Sequence, residues 1–86
     1  MRILYYDIEN VSYKVKVKLV DKKCNVVRIK AYEQEKYLGA RPLIIPFECS
    51  YAEIGELIKA GLLAIIKEYE GKQRLASFLN GPDIDN

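Results

Sequence analysis

The chain has 86 residues, half of them hydrophobic and 30% charged, which is the composition of one folded domain and not of a disordered tail. Histidine is absent, so the commonest general base and metal ligand is missing and Ser/His or Cys/His catalysis is excluded. We therefore expect a single domain over residues 1–80 with a flexible tail at 81–86, no enzymatic activity, no metal site and no cofactor.

The net charge of +2 conceals an uneven distribution along the chain. Residues 1–41 contain ten Lys/Arg and five Asp/Glu, whereas residues 42–86 contain four and seven, so the first half is basic and the second acidic. Asp7 and Glu9 interrupt the stretch in which a secretion signal would need its apolar core. The longest apolar run, residues 60–66, is far shorter than the roughly 20 residues that cross a bilayer. We expect a cytoplasmic protein without a membrane partner.

Strands are predicted through the first part of the chain. Residues 2–8 are aromatic and β-branched and are followed by turn formers, which indicates a first strand. Residues 13–19 alternate strictly between apolar and basic side chains, the two-residue period of a strand, and residues 26–32 alternate in the same way. These two strands form a predicted hairpin. Their apolar sides coincide only if even-numbered residues oppose even-numbered ones, so the loop should have three or five residues unless a bulge intervenes.

A fourth strand is predicted at residues 43–45, which stand between Pro42 and Pro46. Because proline cannot donate a ladder hydrogen bond, this strand should be short and should lie at an edge or a bulge. The preceding polar residues 33–41, around Gly39, are predicted to be a loop.

A helix is predicted to begin after Ser50, because Ser50 and Glu53 have the spacing of a capping box and Cys49 and Ile54 that of a hydrophobic staple. Gly71 is placed to end it. A short second helix is predicted over residues 72–79, with apolar positions Leu75, Phe78 and Leu79. The predicted fold class is α+β: a four-stranded, mainly antiparallel sheet followed by one long helix and one short C-terminal helix.

One side of the predicted hairpin collects basic residues. Like charges opposed across strands destabilise a sheet, so an anionic partner would explain the arrangement, and cationic surfaces with interleaved aromatics bind single-stranded nucleic acid. The alternative is a solvated face that prevents edge-to-edge association. Tyr6 of the first strand is expected nearby. The predicted nucleic-acid-binding residues are Lys14, Lys16, Lys18, Arg28, Lys30 and Tyr32.

Asp7 and Glu9 have the D-x-E spacing with which some two-metal nuclease sites begin. Such a site needs further carboxylates, and the other aspartates are predicted in a turn, at Asp21, or in the tail. We interpret the two residues as an acidic pair beside a turn.

Cys24 and Cys49 are expected to be reduced, buried or half-buried thiols, since no export signal accompanies them. A disulfide is the alternative. A zinc site would need ligands from a second chain, because structural zinc takes four Cys/His ligands.

The run at residues 60–66 is apolar almost all round the helix, so one sheet cannot cover it. Either the turn at residues 72–79 folds back over it or a second copy of the chain does. For the second case we expect a homodimer with interface residues Gly61, Leu63 and Ile66.

The predicted layout of residues 1–70, a four-stranded sheet with a basic face followed by one long helix, resembles transcriptional-coactivator-type single-strand binders and Pur-alpha-type repeats. The resemblance is one of layout, without a shared motif. We therefore expect a small non-enzymatic module that binds single-stranded DNA or RNA through the basic hairpin face. The alternative is a protein-binding regulator or inhibitor, of the kind found in phage and toxin-neutralising proteins, that uses its acidic helix or a strand edge.

Overall fold

A computed structural model describes residues 1–81 of the chain. The four strands are antiparallel and lie in the order of the sequence, and the helix packs across one face of the sheet, mainly over the third and fourth strands. The predicted α+β class, with four strands followed by a long helix, is confirmed. The elements are β1 (Arg2–Ile8), β2 (Val11–Asp21), β3 (Val26–Glu33), β4 (Lys36–Ile44) and α1 (Tyr51–Asn80).

The two outer hairpins have two-residue turns. Glu9 and Asn10 join β1 to β2 with φ of +51° and +66°, the left-handed conformation at both positions that a type I′ turn requires. Gln34 and Glu35 join β3 to β4, with φ of +57° at Gln34. The Glu9–Asn10 turn fixes the pairing of β1 with β2 and therefore which of their side chains share a face of the sheet. The pairing of β3 with β4 shifts by one residue between Ala31 and Tyr32, so a bulge separates the register at that turn from the register of the rest of β4.

The central hairpin has the parity that the sequence predicts. Leu19 lies opposite Val27 and Lys18 opposite Arg28, so even-numbered residues of β2 oppose even-numbered residues of β3. This is the register that a five-residue loop predicts. The pairing shifts between Leu19 and Asp21, so that Asp21 faces Val26. The Asp21 carboxylate accepts hydrogen bonds from the backbone N–H groups of Lys23 and Cys24, at 3.0 and 3.2 Å, and thereby closes the turn.

β4 is longer than predicted, and the assignment of residues 33–41 as a loop is wrong. The strand extends from Lys36 to Ile44. The prediction of an edge position is confirmed, and this position explains why β4 contains Pro42: alternate N–H groups of an edge strand have no partner, so a proline there need not cost a ladder bond. Gly39 allows close approach of the helix, because a Cβ there would lie 3.2 Å from Ile65 Cγ2.

The helix begins as predicted and ends later. Ser50 Oγ accepts a hydrogen bond from Glu53 N at 3.2 Å, and Glu53 Oε1 accepts one from Ser50 N at 2.8 Å, which is a capping box. The predicted stop at Gly71 and the separate short helix over residues 72–79 are wrong, because α1 is continuous to Asn80. A helical glycine costs about 1 kcal/mol relative to alanine, too little to break a helix with good helix formers on both sides. Residues 82–86, most of the predicted tail, lie outside the described residues.

The core lies between α1 and the inner face of the sheet, which is the face that α1 covers. Val15, Ile29 and Leu62 are fully buried there. Gly61 brings the helix close to the sheet, since a Cβ at this position would lie 2.7 Å from Ile29 Cδ1. The opposite, outer face carries no covering element among residues 1–81.

The C-terminal end of α1 extends beyond the sheet. A helix of 30 residues is about 45 Å long, and every residue from Lys72 to Gly81 is exposed. The radius of gyration is 15.9 Å, against about 12 Å for a compact chain of this length. In the part of the chain that the structure describes, no helix is long and apolar enough to cross a membrane.

Candidate nucleic-acid interface

The structure brings all six predicted nucleic-acid-binding residues onto the outer face of the sheet. Their neighbours in sequence, among them Val15, Ile29 and Ala31, point into the core, so the alternation of the two strands places the basic side chains on the other side. We call the five cations of this surface the cationic face: Lys14, Lys16 and Lys18 on β2, and Arg28 and Lys30 on β3.

The register of β2 and β3 sets like charges directly opposite each other. Lys16 is paired with Lys30 and Lys18 with Arg28. Residues opposed in this way have their Cβ atoms about 5 Å apart, and like charges at this distance destabilise the sheet. The cationic face is therefore an arrangement that stability alone does not favour.

Carboxylates do little to neutralise this surface. Lys14 Nζ lies 3.9 Å from Glu35 Oε1, but that glutamate side chain is 95% exposed, so the pair contributes little. No carboxylate among residues 1–81 forms an ion pair with the other four cations. They remain available to an anionic ligand.

Tyr32 is engaged by the lysines around it. Lys14 Nζ and Lys16 Nζ lie 5.2 and 5.0 Å from the centroid of its ring, within the range of cation–π attraction. The Tyr37 ring is 5.5 Å away and tilted by 58°. Tyr32 therefore positions the lysine ammonium groups, and a base could stack on a covered ring face only if a lysine moved.

Two tyrosines that the sequence reading missed are the exposed rings of the outer face. Tyr5 is 70% exposed and lies opposite Lys14 across β1 and β2, and Tyr37 is 53% exposed. Tyr6, which we expected beside the lysines, lies on the inner face, where its hydroxyl donates to the Gly55 carbonyl at 3.0 Å. Burial, and secondarily the charge of Glu56, raise the pKa of Tyr6.

A depression of about 440 Å³ lies on the outer face of the sheet. Cationic and apolar side chains share its lining, and its size is within the range of small-ligand sites. Exposed Ile3 and Ile44 add apolar surface to the same side of the sheet. The lining residues are Met1, Lys16, Lys18, Val20, Arg28, Lys30 and Tyr32.

The three predicted dimer-interface residues do not form one exposed patch. Gly61 is buried against Ile29 and Leu43, and Ile66 is partly buried and packs against the core. Leu63 alone faces outward, 43% exposed. The C-terminal part of α1 does not fold back over residues 60–66 either, because the helix is continuous.

The remaining candidate residues are Asp7, Glu9 and the two cysteines. Glu9 lies in the β1–β2 turn, so it does not share a strand face with Asp7. Within residues 1–81, no three Cys, Asp or Glu side chains are placed to hold a metal ion. The two cysteines are free, as predicted; Cys49 is half-buried, whereas Cys24 is exposed and not buried as expected. Burial, then the charges of Glu53 and Glu48, raise the pKa of the Cys49 thiol.

The helix is not acidic as a whole. Because α1 continues through Asn80, it includes Lys72 and Arg74. The helix therefore contains equal numbers of acidic and basic residues. Its four glutamates are Glu53, Glu56, Glu68 and Glu70, and its four cations are Lys59, Lys67, Lys72 and Arg74.

No protein family, curated protein or solved structure matches the chain. The resemblance of its layout to single-strand binders therefore gains no support from comparison, and a functional argument depends on the site itself.

Proposed function

We propose that this protein is a small non-enzymatic module that binds single-stranded DNA or RNA on the cationic face. The observation that carries the proposal is two directly opposed pairs of like charges, Lys16 with Lys30 and Lys18 with Arg28, none of which forms an ion pair with a carboxylate of residues 1–81. Bound phosphates would neutralise both pairs and replace repulsion by attraction.

The shape of the surface favours single strands over duplex DNA. The outer strands of a four-stranded sheet are about 14 Å apart before side chains are counted, and a major groove about 12 Å wide admits a helix or a two-stranded ribbon. A broad face suits an extended strand, with phosphates along the lysine row of β2 and bases on the exposed rings of Tyr5 and Tyr37. Lysine contacts to phosphate read no sequence, so the preference among sequences should be weak.

The test is charge reversal on the cationic face against a matched reversal elsewhere. The variant Lys16→Glu, Lys18→Glu, Arg28→Glu should lose binding to a fluorescent single strand in anisotropy titrations at moderate salt, with its fold intact by circular dichroism. The control, Lys59→Glu, Lys72→Glu, Arg74→Glu on α1, changes the net charge equally and should bind like the unmodified protein. Equal loss in both variants, or no binding by the unmodified protein, would refute the proposal.

A second candidate, a protein-binding regulator or inhibitor, is favoured by the free edge of β1. This seven-residue strand contains neither proline nor glycine, and its outer edge has no partner strand among residues 1–81, whereas the β4 edge contains Pro42. An open edge can accept a strand from another protein. An acidic-helix version of this candidate loses its basis, because α1 is neutral in total.

A further inference from the structure

The exposed end of α1 carries a cluster of large apolar side chains. Leu75, Phe78 and Leu79 are 58%, 72% and 68% exposed, and their i, i+3, i+4 spacing puts them on one face of the helix. Three such side chains side by side in water form the kind of patch that marks an interaction surface.

The chain exposes more surface than a compact monomer of its size. Its accessible area is 6708 Å², whereas a monomer of 9.9 kDa exposes about 5,200 Å². The excess, about 1,500 Å², is larger than the roughly 800 Å² that each partner contributes to a standard interface. Enough surface is available for a stable dimer.

The apolar face of the C-terminal end continues toward the start of the helix. Leu57, Ala60, Ala64 and Gly71 precede Leu75 and Phe78 at steps of three or four residues, except for one longer step occupied by Lys67 and Glu68. Leu57 lines a groove with Pro46 and Cys49, so this face lies beside the β4 end of the sheet. Ala60 is exposed, and Ala64 and Gly71 are half-buried, so the middle of the face would let a second helix approach closely.

We propose that a second copy of this chain covers this face, with the two α1 helices packed antiparallel. One register satisfies every position: Leu57 meets Phe78 of the second copy, Ala60 meets its Leu75, and Ala64 meets its Gly71. The same register sets Lys67 of each chain beside Glu68 of the other, at the two-fold axis. The sequence of the face is therefore complementary to itself when reversed, which is the property a two-fold interface requires.

Charge disfavours the parallel alternative and favours the antiparallel pair. Parallel packing would set Lys67 against Lys67 and Glu68 against Glu68. Antiparallel packing sets Lys67 of each chain beside Glu68 of the other, and it opposes the two helix dipoles. Glu68 already forms an exposed 3.8 Å ion pair with Lys72 of its own helix, a weak contact that leaves it free to meet Lys67 of the second copy.

Sedimentation equilibrium without nucleic acid tests the interface independently of the proposed function. The unmodified protein should have twice the 9.9 kDa chain mass. Phe78→Glu should weaken self-association at least about 30-fold, because two-fold symmetry repeats the Phe78–Leu57 contact and the variant loses an aromatic contact at each end of the interface. Tyr5→Glu is the matched control, because Tyr5 is 70% exposed but lies on the outer face of the sheet, away from α1, and it should leave the dimer unchanged. Circular dichroism confirms the helix in both variants.

A charge exchange tests the register. Lys67→Glu should weaken the dimer, since four carboxylates would then meet at the axis, and the double variant Lys67→Glu, Glu68→Lys should restore it. A monomer at all concentrations, equal effects of Phe78→Glu and Tyr5→Glu, or failure of the double variant to restore association would overturn the proposal.

Discussion

Lys16 on β2 lies directly opposite Lys30 on β3, and its ammonium nitrogen is 5.0 Å from the centre of the Tyr32 ring. The ring gives the lysine a favourable contact, but it does not remove the repulsion between the two cations. The sheet therefore keeps a pair that a stability-optimised sequence would replace by opposite charges.

Reversing one charge of this pair should separate stability from binding. Lys30→Glu places a carboxylate opposite Lys16, so the free energy of unfolding in urea should rise by a few tenths to about 1 kcal/mol. Affinity for a single strand should fall in the same variant. The uncharged Lys30→Gln should show smaller changes in both quantities. A loss of stability in Lys30→Glu would mean that the opposed lysines do not repel each other appreciably.

The exposed tyrosine rings of the outer face should contribute to binding by stacking. Tyr37→Ser should weaken binding of a single strand by about 1–3 kcal/mol, the usual contribution of one stacked base. Tyr51 is a suitable control, since it is 95% exposed at the start of α1, away from the outer face. Equal affinities of Tyr37→Ser and Tyr51→Ser in anisotropy titrations would show that bases do not stack on Tyr37.

Two glycines in α1 should respond oppositely to alanine. At Gly55 a Cβ meets nothing within 4 Å, so Gly55→Ala should stabilise the protein by about 0.5–1 kcal/mol through helix propensity. At Gly61 a Cβ would lie 2.7 Å from the buried Ile29 Cδ1, and overpacking of this kind costs about 1–3 kcal/mol. In denaturant unfolding, the free energy of unfolding should therefore be higher for Gly55→Ala and lower for Gly61→Ala than for the unmodified protein. Stabilisation by both would contradict the close packing of α1 on β3.

Stability should be constant over a pH range around neutrality. Titration of carboxylates sets the acid limit of this range, and titration of tyrosines sets its alkaline limit. Hydrogen bonds from the Ser50 backbone, and then from its side chain, lower the pKa of Glu53. The contribution of Glu53 to stability is therefore complete above its unfolded-state pKa of about 4.3. It is lost as the pH falls through its lower folded-state pKa. Burial raises the pKa of Tyr13 and Tyr6, so their contribution is complete below the usual tyrosine pKa and is lost as pH rises through the raised one.

Melting temperatures measured against pH check this profile. They should be nearly constant from about pH 6 to 8, since the sequence has no histidine. Ser50→Ala should lower stability by about 1 kcal/mol on the plateau and should shift the acid limb, because Glu53 loses one of its donors. A steep slope between pH 6 and 8 would indicate a strongly shifted group that the structure does not account for.

The alternating hairpin and the helix start are predictable from the sequence because each has a strong local cause. Strict alternation over residues 13–19 admits only one assignment of faces, and Ser50 with Glu53 fixes the first turn of α1. The six residues predicted for the nucleic-acid interface lie together for the same reason.

The errors occur where a local signal is weak and packing or pairing decides. Gln34 and Glu35 lack the Asn-Gly type of turn sequence, yet pairing of β4 with β3 holds them in a two-residue turn. The prediction of a loop over residues 33–41 is therefore wrong. Gly71 resembles a helix stop, but its cost is small within a long helix. Tyr6 lies on the inner face and not beside the lysines, because the parity of β1 depends on the turn at Glu9 and Asn10.

The salt dependence of single-strand binding tests the central claim most directly. If three to five of the five cations contact phosphates, log affinity should fall against log salt with a slope of roughly −2 to −4. Reversal of Lys16, Lys18 and Arg28 should abolish that dependence together with binding. Absence of salt-sensitive binding to single-stranded DNA or RNA at low salt would contradict the account and would leave the free β1 edge as the better candidate for function.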